Sequence, residues 1–361
     1  MGIKTNEMNY NWKLSETEFT KDKGKVFSCF ACGGGSTMGY KLAGFDVLGH
    51  NDIDAKMIEV YKANHNPKYS FHESITTFAK RKDLPKELYE LDILDGSPPC
   101  SSFSMAGNRD KDWGKEKKFR EGQELQVLDT LFFDFIDLAK ELQPKVVVAE
   151  NVKGLLLGNA KEYVKKIYEE FDKAGYYCQH FLLNASKMGV PQKRERVFFI
   201  CLRKDLASNF LEQVDMFTQL PKIEMNFNER EIYFNEIRDY SGVVERPLSG
   251  VEIPKTWKLR RNTDLDMSCT TKREINKDKF FSYNYIYNHK VLNTITAKDC
   301  NVLFDEPRYL NKIENCLGGS YPLDYNFLKI KPHYLIGMSV PPLMTAKIAE
   351  QIYKQWLKQM K

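Results

Sequence analysis

The chain has 361 residues, 42% of them hydrophobic and 29% charged, with a formal net charge of +5. That is ordinary globular material, enough for one large α/β domain plus a smaller one. No apolar run reaches the roughly 20 residues a membrane span needs, and the polar first 25 residues lack a signal-peptide core. Eight cysteines without a secreted-scaffold spacing fit a reducing compartment, so a cytoplasmic protein is expected, nucleoid-associated if the source is prokaryotic.

The first half alternates strand and helix. Residues 25–30 read as a strand, followed by Gly33-Gly34-Gly35 and a helix over 36–43 that closes on Gly44. A second strand is predicted over 45–50 and a second helix over 54–64, then a strand at 91–94 and an amphipathic helix over 129–142. Val146-Val147-Val148-Ala149 is a continuous apolar run of the kind buried on both faces of a parallel sheet. A helix over 161–174 and a strand over 197–202 complete a doubly wound, Rossmann-like pattern. After residue 205 prolines, short β-prone pieces and aromatics replace that rhythm. A second, mostly β or irregular domain is therefore expected over 205–324. The first domain spans 1–204 and 325–361, with a last helix over 343–357 packing back on it.

Four places along this pattern carry chemistry. Phe30-Ala31-Cys32-Gly33-Gly34-Gly35 joins the first strand to the first helix, where backbone amides can face a ligand. Asp52, at the end of the second strand, stands where a ribose diol lies in such folds, and the turn lacks the pattern for a dinucleotide or triphosphate, which favours an adenosyl ligand. The rigid polar turn Gly96-Ser97-Pro98-Pro99-Cys100 can hold a thiol where it is reached. Glu150 ends the buried 146–149 run, where an acid can hold its proton, and Gln192-Lys193-Arg194-Glu195-Arg196 presents alternate basic side chains ahead of the next strand. Between Lys255 and Lys312, twelve Lys or Arg face seven Asp or Glu, a surplus equal to the whole chain's formal charge. Eight aromatics are interleaved there, as on a nucleic-acid surface or on a small β-rich domain with its own core. The Cys29-Phe30-Ala31-Cys32 pair has no second CxxC or nearby His, and reads as two strand-end residues rather than a metal site.

In this order the motifs resemble those of DNA cytosine-5 methyltransferases over nearly the whole chain. Phe30 to Gly35 resembles the family's cofactor turn, Pro99-Cys100 its Pro-Cys, Glu150-Asn151-Val152 its Glu-Asn-Val and Gln192 to Arg196 its QxRxR. The stretch from Arg308 to Pro322 and the run Gly337-Met338-Ser339-Val340-Pro341 resemble the closing motifs. The resemblance implies S-adenosylmethionine as cofactor, no metal, and double-stranded DNA as partner. Cys100 would be the covalent nucleophile, Glu150 the proton donor to ring nitrogen 3, Arg196 the holder of the exocyclic oxygen and Arg194 a support. Beyond the turn, the cofactor would touch Asp52, Ile53, Ser74, Ile75, Pro98, Leu131, Ser339 and Val340. DNA would touch Ser101, Ser104, Gln192, Thr294, Thr296 and Arg308, with residues 105–122 as the loop closing over a flipped base. Cys32 replaces a usual glycine, Ser74 the Asp expected at the adenine and Met338 a motif Asn.

A monomer is expected, with a cognate restriction endonuclease as a genetic companion. A tRNA cytosine-5 methyltransferase of the same fold would use the same residues. A zinc nucleobase deaminase would need a second Cys where Phe103 stands, and a non-catalytic relative would lack Cys100 or Glu150.

Overall fold

The computed structural model describes residues 11–99, 130–157, 160–215, 218–298 and 300–360. Its centre is a seven-stranded sheet of β1 (Lys25–Cys29), β2 (Asp46–Asp52), β3 (Tyr69–His72), β4 (Ile93–Gly96), β5 (Val146–Val152), β6 (Tyr176–Asn184) and β7 (Glu195–Arg203). The order is β3-β2-β1-β4-β5-β7-β6. The first five strands run parallel, and β7 runs antiparallel to both neighbours. The chain moves outward from β1 through β2 to β3, then returns to the other side of β1 for β4. That reversal opens a crevice at the carboxyl ends of β1 and β4, the usual ligand position in open α/β sheets.

Alternation along the strands feeds two cores. Val146 and Val148 enter one, with Met38 and Tyr40 of α1 (Gly35–Leu42) and the apolar face of α10 (Pro342–Gln355). Val147 and Ala149 enter the other, with α4 (Leu131–Leu142) and α5 (Lys161–Lys173). Burial on both faces explains the unbroken valine run. The last helix lies so close across α1 that a Cβ on Gly39 would stand 2.4 Å from the Pro342 carbonyl oxygen. On the β3 side of the sheet, α2 (Ala55–His65) and α3 (Ile75–Phe78) follow β2 and β3.

Beyond residue 205 the strands shrink to three residues: β8 (Leu211–Gln213) pairs with β9 (Gln219–Pro221), and β10 (Asn284–Ile286) with β11 (Asn301–Leu303). Two helices not expected from the sequence, α6 (Glu252–Lys258) and α7 (Met267–Ile275), lie there. Asp266 caps α7 by accepting from the Cys269 amide at 2.8 Å. Met267, Tyr285, Tyr287, Val302 and Tyr309 form a small separate core. Ile223, Phe234, Leu292, Leu310 and Tyr321, by contrast, join the main core beside α10. The helices α8 (Lys312–Gly318) and α9 (Pro332–Met338) lead back to the sheet.

Candidate active site

The turn after β1 is built from unusual backbone. Phe30, Cys32 and Gly34 have φ of 52°, 50° and 87°, a region that costs a non-glycine residue about 1 kcal/mol or more. The Cys32 strain is offset by a charge-assisted hydrogen bond: its amide donates to Asp52 Oδ2 at 2.7 Å, while Asp52 Oδ1 accepts from the Asp54 amide at 2.8 Å. A carboxylate is an acceptor-only group with lone pairs for several donors, the chemistry that a diol calls for at a strand end. Gly33, Gly34 and Gly35 are packed from behind. A Cβ on them would meet Leu335 at 2.6 Å, His65 Nε2 at 2.3 Å and the Val340 carbonyl oxygen at 2.5 Å. The Ser339-Val340 segment therefore lies directly on the turn. Cys29 is buried, and burial together with Asp95 and Asp52 pushes its thiol well up; it is an inert sulfur.

The other expected cofactor residues are dispersed around this crevice. Ser74 caps α3, its hydroxyl accepting from the Thr77 amide at 3.1 Å and pairing with Thr77 Oγ1 at 3.0 Å. Ser74 is thus occupied by its own helix, and it is no charged acceptor for an adenine amino group. Ile75 is 2% exposed. The Ile53 carbonyl lies 3.1 Å from His72 Nε2. Leu131 opens α4 and is 3% exposed. A turn of backbone amides, a strand-end acid and apolar walls fit an adenosyl ligand at the carboxyl ends of β1 and β2.

On the neighbouring strands Arg196 Nε meets Glu150 Oε1 at 2.9 Å, with side chains 17% and 12% exposed. Burial pushes the Arg196 guanidinium down and Glu150 pulls it back up. Asn151 Nδ2 donates to the Pro98 carbonyl at 3.2 Å. That bond tethers the end of β5 to the segment two residues before Cys100. Cys100, Ser101, Ser104 and the expected closing loop over 105–122 lie outside the described residues.

The remaining basic and polar expectations divide sharply. Arg194, 2% exposed, donates to the carbonyls of Ile295 (3.0 Å), Gly337 (3.0 Å) and Ser339 (2.8 Å). Burial and the neighbouring Arg196 push it down to about 9. It clamps the segment over the glycine turn to the start of β7 through these three carbonyls. Gln192, 1% exposed, donates to the Gly318 carbonyl at 2.7 Å and accepts from the Ile295 amide at 3.1 Å. Arg308, expected at DNA, is 3% exposed and forks onto Glu314 at 2.7 and 2.9 Å. Both Gln192 and Arg308 are internal struts because their polar atoms are already paired away from solvent. Thr294, half-buried, donates to the Lys193 carbonyl, and the exposed Thr296 to that of Lys298 at 2.6 Å.

Two features had no signal in the sequence. Asp95, 4% exposed on β4, accepts from Ser28 Oγ at 2.6 Å and Tyr40 OH at 3.1 Å. A hollow of about 650 Å³ is lined by Arg246, Lys298, Lys331 and His333 together with Tyr283 and Tyr309, and no acidic residue is among its described lining.

Sheet order, crevice and acid together define a Rossmann-like methyltransferase fold. The chain belongs to the C-5 cytosine-specific DNA methylase family, which matches residues 24–354. It is 38% identical over 187 residues to the type II methyltransferase M.FnuDI of Fusobacterium nucleatum, covering 52% of this chain and 49% of that protein. The alignment to M.NgoPII of Neisseria gonorrhoeae likewise covers 50% of that relative, so the chain spans about half the length of these curated relatives. Against M1.HphI of Haemophilus parahaemolyticus it is 28% identical over 340 residues, 90% of this chain and 85% of that one. A crystal structure described as a putative DNA modification methyltransferase encoded within an E. coli prophage superposes with a TM-score of 0.61 at 20% identity, covering 92% and 99% of the two chains. Spodoptera frugiperda DNMT2, in a mutant form, gives 0.59 at 17%, covering 91% and 98%; both superpositions bear on fold alone.

Proposed function

We propose that the protein methylates carbon 5 of cytosine in duplex DNA, using S-adenosylmethionine and a transient covalent bond from Cys100. The observation that carries this reading is the Glu150–Arg196 pair, tethered through Asn151 and Pro98 to the Pro-Cys turn, in a chain of the cytosine-5 methylase family. The cofactor supplies an electrophilic methyl group on a sulfonium. Carbon 5 of cytosine is a poor nucleophile, so the Cys100 thiolate adds to carbon 6 while Glu150 gives its proton to ring nitrogen 3, leaving an enamine that can attack the methyl. Arg196 holds the exocyclic oxygen and, by keeping its place beside Glu150, orients the acid toward the ring edge. Loss of the carbon 5 proton to a base then expels Cys100 and restores the ring. A stacked base cannot reach Cys100, so the target nucleotide leaves the helix.

The cationic hollow around Arg246, Lys298 and Lys331 supports a polyanionic partner. Lys298 lies two residues from Thr296, in the segment that Arg194 ties to the start of β7. A bacterial restriction endonuclease reading the same site would be the genetic companion of such an enzyme, and the cytoplasm its place. No described helix is long and apolar enough to cross a membrane. The test is duplex DNA carrying 5-fluorocytosine. A denaturation-stable adduct at Cys100 is expected with wild type and none with Cys100→Ala, whose DNA binding persists. Substantial turnover by Cys100→Ala would overturn the covalent mechanism, and preference for tRNA over duplex DNA would overturn the substrate.

A further inference from the structure

A hydroxyl from far along the chain holds the glycine turn in place. Tyr325 OH, 292 residues away, donates to the Gly33 carbonyl. The amide at the other end of the same peptide, that of Gly34, donates to the Ala31 carbonyl at 2.8 Å. The Gly33–Gly34 peptide is thereby fixed at both ends. The peptides on either side carry the amides of Gly33 and Gly35. The Gly33 amide has no hydrogen-bond partner among the described residues, and Gly35 opens α1, where a helix leaves its amides unpaired. Those donors remain for a ligand in the crevice. Tyr325 is delivered by a strap, residues 321–327, between α8 and α9. Its side chain is 1% exposed, with ring centroids 5.1 Å from Tyr321 and 5.0 Å from Phe327. One residue on, the Asn326 amide donates to Asn64 Oδ1 at 2.8 Å, and Asn64 Nδ2 donates to the Asn326 carbonyl at 2.9 Å. Asn64 stands in the last turn of α2, so the strap is pinned to the helix that follows Asp52. Phenylalanine would fill the place of the ring equally well. The hydroxyl is the part of the side chain that packing does not call for, and a buried hydroxyl is costly unless it is bonded. Burial pushes it well above the usual tyrosine range, so it keeps its proton and donates at any working pH.

We propose that Tyr325 is a positioning residue for the cofactor: its hydroxyl selects the orientation of the Gly33–Gly34 peptide in which the flanking amides face the crevice. The proposal rests on reading the glycine turn as the S-adenosylmethionine site. Two glycines in succession give the peptide between them little steric resistance to rotation. Without the hydroxyl the turn samples orientations that do not bind, and the apparent affinity falls in proportion to the fraction still competent. The bound cofactor restores the turn, so the loss belongs to binding rather than to the methyl-transfer step.

Tyr325→Phe in the full chain is the test. Calorimetry should show S-adenosylmethionine bound about tenfold more weakly, a competent fraction of about one tenth, with duplex DNA affinity unchanged. The KM for the cofactor should rise by the same factor while kcat at saturating cofactor changes far less. A role in stability alone would lower the melting temperature and leave the affinity of the folded protein as in wild type. Labelling glycine with carbonyl carbon-13 and amide nitrogen-15 confines the NMR correlation spectrum to Gly33–Gly34, Gly34–Gly35 and Gly318–Gly319, the consecutive glycines of the chain. The Gly33 carbonyl signal should move upfield in Tyr325→Phe while that of Gly318 stays. Unchanged cofactor affinity or an unmoved Gly33 signal overturns the proposal. Should Tyr325→Phe fail to fold, Asn64→Ala unpins the strap and should weaken cofactor binding in the same direction, and unchanged affinity there overturns the proposal equally. A wild-type protein that binds no S-adenosylmethionine would overturn the cofactor reading and the proposal with it. One that binds the cofactor but methylates no cytosine would refute the functional reading alone, and the calorimetry and NMR still decide the role of Tyr325.

Discussion

Replacing Arg308 by Met separates a structural role from a DNA-binding one. Its guanidinium donates twice to Glu314, at 2.7 and 2.9 Å, and also to Glu306 and to the Tyr309 carbonyl. Glu314 is 0% exposed and would keep only two amide donors, from Asn311 at 3.0 Å and Asp239 at 3.3 Å. A charge-assisted hydrogen bond contributes about 1.5–3 kcal/mol. Two such bonds are lost and the carboxylate stays buried, so the expected cost is about 3–5 kcal/mol. In urea denaturation the midpoint should drop with the slope unchanged, while the salt dependence of DNA binding by the remaining folded protein stays as in wild type. The double variant Arg308→Met/Glu314→Leu removes both charges and should recover most of the loss, leaving about 1 kcal/mol for the broken helix cap. A single variant of wild-type stability with a shallower salt slope would show that Arg308 faces phosphate and would refute the reasoning.

Arg194→Lys keeps the charge but cannot span three carbonyls. It should weaken S-adenosylmethionine binding about tenfold by calorimetry, through release of the Ser339 segment, and unchanged affinity would contradict that coupling. Gly34→Ala combines φ 87° with a Cβ 2.3 Å from His65 Nε2, so it should cost about 2 kcal/mol or more and abolish measurable cofactor binding; wild-type thermal stability would refute it. Asn151→Ala should lower kcat at least tenfold with little change in DNA affinity, since it frees Pro98 without touching the basic hollow; equal loss in both would refute that separation. Burial lowers His50 to about 3 and His333 to about 4. The unfolded chain then binds more protons than the native one as pH falls below about 6.5, so stability is lost toward pH 4, by about 1.4 kcal/mol per pH unit for each such His. Asp95, raised to about 7, acts with the opposite sign between about pH 4 and 7. The difference between wild type and His50→Gln isolates the first effect, and parallel stability curves for the two would sink it.

Local chemistry made much of this protein legible. A short β-branched apolar run flanked by polar residues favours a strand covered on both faces, and 146–149 is one. Three consecutive glycines after a strand mark a close approach, and the structure presses Leu335, His65 and Val340 against them. The helices α6 and α7 were not legible because their apolar faces are short and their aromatic neighbours mimic strand composition. The strand β3 holds four residues with no fully buried one, too little for a periodic signal.

Composition and spacing determined the alternation of elements, the glycine turn and the order of the reacting motifs, because these depend on contacts within a few residues. What each charge does was decided only by tertiary structure. Arg194 and Arg196 look alike two residues apart, yet one holds carbonyls more than a hundred residues away and the other meets Glu150. Arg308 belongs by composition to a basic surface and by packing to a buried pair. Asp95 finds Ser28 through strand register and Tyr40 through the packing of α1. Burial and partner choice set the energy of a charge, and both come from the distant parts of the chain that the fold brings together.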